Sequence, residues 1–141
     1  MRDERVTANR GRSLAVLAIV TPLGFLTQFY SGRGSTWAVT HAGGFFYVVF
    51  WIFVVLALFP RLSRERVAVG VAIATGALEC AQLWHPDFLE RMRASFLGRA
   101  VLGTTFDWSD FPYYAAGALA AYGVARAIAV GGPGGRRANP A

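Results

Sequence analysis

The chain has 141 residues, of which 55% are hydrophobic and 16% charged, against about 25% charged in soluble domains. One domain fits this length, and the composition excludes a disordered chain, a collagen-like repeat and a disulfide scaffold. It also argues against a soluble enzyme and leaves a polytopic membrane protein of all-α class as the expectation.

The net charge of +6 comes from 14 arginines without a single lysine. They sit in short clusters between apolar blocks, as topology signals do, rather than on one groove-binding face, so no nucleic-acid partner is expected. Cys80 is the only cysteine. An internal disulfide or a cysteine metal cluster is therefore impossible, and its apolar neighbours predict a small buried residue.

Four apolar blocks follow in order, each near the 20 residues that cross a bilayer. The first, Leu14 to Tyr30, lies behind a basic N-terminus. It lacks the small-residue cleavage pattern of a signal peptide and reads as a retained span, bent at Pro22 and Gly24. The second, about Trp37 to Phe59, is the most hydrophobic and stops at Pro60-Arg61. A third runs from Val67 to Trp84 and is closed by His85-Pro86. The fourth runs from Phe111 to about Val130, with Pro112 in its first turn. Residues 1–130 thus read as one four-helix transmembrane domain, and the glycine-rich residues 131–141 as a flexible tail.

With four spans, ten arginines share a side with both termini and four lie opposite: Arg33, Arg91, Arg93 and Arg99. The positive-inside rule then places both termini of this multi-pass chain on the cytoplasmic side of the cell membrane. Trp37, Trp84, Trp108 and Tyr113 fall near span ends on the outer side, as an aromatic belt requires. The 26-residue connection from His85 to Asp110 would face outward. Its apolar spacing predicts an amphipathic interfacial or re-entrant segment.

Chemistry concentrates at this outer end. Glu79 lies five residues before Trp84, about 7–8 Å below the interface at a helical rise. A carboxylate at that depth costs about 2.5–3.5 kcal/mol on insertion scales and calls for a partner. Gln82 and Thr75 share its helix face. That polar stripe reads either as an interhelical clamp or as a binding or proton-handling site. Asp107 and Asp110 flank Trp108-Ser109 just before the fourth span, where Ser109 or Asp110 is expected to cap the helix. Arg91, Arg93 and Arg99 could pair with these acids or hold a phosphate or carboxylate head group.

His41 and His85 fall near the outer ends of their spans. A metal site from His85, Glu79 and Asp107 is conceivable but lacks a close-spaced ligand motif, so no metal or other cofactor is expected. Phosphate-binding loops, nucleophile elbows and dinucleotide turns are missing from the sequence. Gly117 and Ala121 form a small-residue pair suited to close helix approach.

Glu79-x-x-Gln82-Leu83, Pro86, Arg93-x-Ser95-x-Leu97-Gly98, Leu102-Gly103-x-x-Phe106, Trp108-x-Asp110 and Tyr114-x-x-Gly117 together resemble the domain-of-unknown-function 2809 family of small bacterial membrane proteins. The pattern is more distantly similar to VanZ-like proteins. The resemblance implies that Glu79, Gln82, Arg93 and Asp110 act as a group; Arg99 and Asp107, in the same loop, are further candidate binding residues. It implies no established catalysis. The VanZ-like similarity, through its association with glycopeptide tolerance, implies a link to envelope lipids or cell-wall precursors. One departure is that Gly43-Gly44 stands where a Gly-Asp pair is expected.

Two functions are carried forward. The preferred one is an accessory or binding protein for an amphipathic envelope molecule at the outer face. The alternative is an enzyme or transporter for a lipid-linked or cell-wall precursor substrate, with Glu79 as base or proton carrier.

Overall fold

A computed structural model describes residues 2–103 and 105–130. The chain is all-α, with no strand among the described residues. Helix α1 spans Arg2–Phe29, α2 Ser35–Trp37, α3 Gly43–Leu58, α4 Arg64–Ala81, α5 Asp87–Ala94, α6 Phe96–Leu102 and α7 Asp110–Val130. A π-helical turn, Ala38–Ala42, joins α2 to α3. The helix φ/ψ values persist through Trp37, Ala38, Ala42 and Gly43, so α2, the turn and α3 form one column.

The long helices match the four apolar blocks, but α1 begins twelve residues before the first block. That basic, polar stretch is helical too. It is anchored across the bundle where the Arg12 guanidinium donates to the Ile128 carbonyl at 2.7 Å, serving one of the carbonyls that a helix end leaves unpaired. Phe59 ends α3 at φ −124°, ψ 66°, because the residue before a proline is pushed out of the α region. The expected outer segment is a pair of short helices rather than a single one. Ser95, with ψ 153°, breaks the chain between them, and its hydroxyl accepts from the Gly98 amide at 2.9 Å to cap α6.

Helix α3 is central. Val48, Ile52 and Phe53 on it are fully buried, and it packs against α1 on one side and α7 on the other, with α4 lying against α7 and α3. Tyr114, Ala118, Ala121 and Ala125 give α7 a buried stripe of mostly small residues that lets the helices approach closely. Gly117 marks a close approach of α7 to α3: a Cβ there would stand 2.7 Å from the Phe45 carbonyl oxygen.

Taken one at a time, no helix among the described residues is long and apolar enough to cross a membrane. Helix α3 is apolar throughout but has only 16 residues, and α4 carries Arg64, Glu65, Arg66 and Glu79 within 18. The proposed tail, 131–141, lies outside the described residues. Cys80 is exposed, which corrects the expectation of a buried thiol. Glu79 and Gln82 take the inward face of α4, and the residue following Glu79 in a helix is turned about 100° from it.

Replacing Gly117 with Val should lower stability by about 1–3 kcal/mol, because backbone rather than a flexible side chain must yield. Gly123→Ala, where a Cβ meets nothing within 4 Å, should be neutral or slightly stabilising. Thermal unfolding of the two variants side by side reads the difference.

Candidate functional site: a buried carboxylate clamp

Glu79 sits in the last turn of α4 and is only 2% exposed. Three donors converge on its carboxylate. Gln82 Nε2, from the turn that closes α4, donates to Oε2 at 2.9 Å. The Tyr114 hydroxyl on α7 donates to the same oxygen at 2.6 Å. The backbone N–H of Asp107, in the loop before α7, donates to Oε1 at 2.8 Å. One side chain thus joins α4, α7 and the connecting loop.

The close neighbours are shaped around it. Gly103 ends α6 at φ +68°, a left-handed conformation that glycine adopts at little cost. The Gln82 amide group lies where a Cβ at this position would be. Gly44 leaves room for the Tyr114 ring, since a Cβ there would lie 2.7 Å from its Cε1. The glycine that stands in place of the family's expected acid therefore accommodates the tyrosine that bonds Glu79.

Arg93 is buried, at 5% exposure, but reaches the end of α4 rather than the Glu79 carboxylate. Its Nη2 donates to the Ala81 carbonyl at 3.0 Å, and Nη1 donates to the Trp84 carbonyl at 3.1 Å and to Glu90 Oε1 at 2.9 Å. The physical reason is the unpaired carbonyls at the helix C-terminus, which attract a cation placed one short helix later. Glu90 is exposed, and the bonds from His85 and Arg93 hold its carboxyl below the usual carboxylate range. Among the described residues no cation forms an ion pair with Glu79.

The side chains of the other expected site residues have partners of their own. Asp107 contributes its backbone to Glu79 and turns its carboxylate outward, where Oδ1 accepts from the Ser109 amide at 2.8 Å and hydroxyl at 2.7 Å. Those two bonds lower its pKa, the hydroxyl bond being the larger cause. Asp110 opens α7 and meets His41 Nδ1 at 3.2 Å. Arg99 donates to the Ala94 carbonyl within the outer segment and stays exposed. His85 bonds Glu90 at 3.0 Å, so the conceivable His85–Glu79–Asp107 trio is not assembled. No group of three His, Cys, Asp or Glu among the described residues is placed to hold a metal ion.

Sequence reasoning did not find Tyr114 as the third partner of Glu79, nor the pairing of His41 with Asp110. The second pair is framed by Tyr113, which stacks on His41 at 4.6 Å between ring centroids and accepts from Trp37 Nε1 at 2.9 Å. The π-helical turn carries His41 on its last residues, and such turns recur where a side chain must be re-aimed. Tyr114-x-x-Gly117 within the family pattern was the available clue to the tyrosine.

Fold and site define a helical bundle whose one end is tied together by a buried, hydrogen-bonded glutamate. Residues 33–118 match the family described as "Protein of unknown function (DUF2809)", and the chain belongs to that family. No curated protein and no solved structure matches it.

Tyr114→Phe removes one donor from Oε2 and leaves the other two, so it should cost about 1–3 kcal/mol in thermal or denaturant unfolding. Glu79→Leu leaves the Asp107 N–H, Gln82 amide and Tyr114 hydroxyl buried without an acceptor. It should cost more than Tyr114→Phe and raise protease sensitivity between residues 85 and 110.

Proposed function

We propose that this chain is an integral membrane protein of four spans, with both termini cytoplasmic. In this reading it serves as a non-enzymatic accessory or binding protein for an amphipathic envelope molecule at its outer face. The observation that carries the accessory reading is the closure of Glu79. A general base or proton carrier must reach its substrate or water, whereas this carboxylate is 2% exposed and its bonds run to α4, α7 and the loop. Two clefts described for the bundle lie at the opposite end and do not touch it.

The membrane setting is supported by the exterior. Ile19, Phe25, Leu26 and Phe29 on α1, Val69 and Ile73 on α4, and Leu119 on α7 are each more than half exposed. Large apolar side chains exposed on three helices fit a lipid-facing exterior. The column Ser35–Leu58 has 24 helical residues, about 36 Å at 1.5 Å each, against a hydrocarbon core of about 30 Å. Helix α7, with 21 residues, reaches about 31 Å. Trp37, Trp84 and Trp108 are exposed at the Glu79 end, where interfacial tryptophans belong. At the same end Phe88, Met92, Phe96 and Leu97 offer apolar surface beside the exposed Arg91 and Arg99, a pairing suited to a molecule with a hydrocarbon part and an anionic head.

Reporter fusions after Arg64 and after Arg99 should report opposite sides of the membrane; the same side for both contradicts the topology. Mass spectrometry of lipids co-purifying with the wild type should reveal a bound amphiphile that Arg91→Gln/Arg99→Gln depletes. An unchanged lipid complement in the double variant contradicts the outer-face binding role.

A further inference from the structure

The end of the bundle remote from Glu79 carries a feature that the clamp does not explain. Between α3 and α4, beside their connecting loop, lies an apolar groove of about 220 Å³. Val55 of α3, Leu62 of the loop, and Val67 and Val71 of α4 form its walls. Its floor at Gly70 is bare backbone, and a Cβ added there meets nothing within 4 Å. Arg66 stands one helical turn before Gly70 and lines the same groove. Its side chain is exposed and makes no hydrogen bond or ion pair among the described residues.

A second observation concerns the start of α4. Ser63 opens the helix in an extended conformation, yet its side chain makes no capping bond. The first-turn N–H groups are therefore left to another acceptor, at the end of a helix that attracts anions. Glu65, the acid of this turn, is exposed and lies about 100° round the helix from Arg66.

We propose that this groove is a binding site for an anionic phospholipid of the cytoplasmic leaflet, with an acyl chain along Val55, Val67, Gly70 and Val71 and the phosphate at Arg66. The inference rests on the membrane reading above. The lining argues for a chain, since every residue along the groove except Arg66 is apolar or glycine. Charge argues for the head group: a guanidinium pairs with phosphate in a two-pronged geometry, and basic pockets between helices on the cytoplasmic side favour anionic lipids. The arrangement also explains why a helix in the apolar part of the chain keeps a glycine with open space above it. A leucine there would improve helix propensity and fill the groove.

The test uses the full chain purified in detergent and native mass spectrometry with dioleoyl phosphatidylglycerol or dioleoyl phosphatidylcholine as the probe. Wild type should retain phosphatidylglycerol in preference to phosphatidylcholine. Arg66→Gln should reduce that preference about fivefold, the factor contributed by one cation near a membrane surface. Gly70→Leu should displace both lipids while melting no lower than wild type. Lipid retention by Gly70→Leu equal to wild type overturns the proposal, as does a protein dimer lost in Gly70→Leu with lipid binding unchanged, which would make the groove a self-contact. Alkaline extraction of membranes separates the two readings. Release of the chain from the membrane fraction contradicts the membrane setting itself, whereas retention together with an unfilled groove overturns only the lipid site.

Discussion

A carboxylate inside an apolar bundle must be given donors, and one end of this bundle is organised by how Glu79 obtains them. Stripped of hydrogen bonds, a buried polar group costs several kcal/mol and a buried charge more. Here the donors come from three places: the turn that closes α4, the loop before α7, and α7 itself. Satisfying one side chain therefore fixes three segments relative to one another. Gly103 and Gly44 follow from the same demand, because the partners Gln82 and Tyr114 occupy the space that side chains there would take.

The α5–α6 segment is held by two further contacts of different kinds. Arg93 caps the carbonyl end of α4 and draws α5 back over it, while the Tyr47 hydroxyl donates to the Val101 carbonyl and ties α6 to α3. Asp110 meanwhile pairs with His41, so the start of α7 is joined to the π-helical turn as well as to Glu79. The motif residues thus take up distinct contacts, in carboxylate satisfaction, helix capping and helix docking, at one end of the bundle.

How much of this was legible depended on whether the controlling contact is local. Four long helices were readable because each apolar run is bounded by strong local signals, such as Pro60 for α3 and His85-Pro86 after α4. The Glu79–Gln82 bond was readable because three-residue spacing puts both on one helix face. The role of Asp107 was hidden, since its contribution to Glu79 is a backbone N–H, which residue type does not advertise. Arg93 was read as a partner for acids because charge is visible in sequence and the unpaired carbonyls of a helix end are not. Tyr114 and His41 act across 35 and 69 residues of chain, distances at which helix periodicity carries no information. The exposure of Cys80 went unread for a related reason: apolar neighbours indicate burial only where a helix has a single apolar face.

Amide hydrogen exchange at Asp107, measured on the full purified chain, tests the clamp most directly. Asp107 lies outside any helix, so protection of its N–H depends on the bond to Glu79 Oε1. The account predicts that it exchanges as slowly as amides within α4 and α7 in the wild type. In Glu79→Leu it should exchange as fast as the exposed loop residue Thr105. Rapid exchange at Asp107 in the wild type, or protection that survives Glu79→Leu, would contradict the claim that this buried glutamate holds its end of the bundle together.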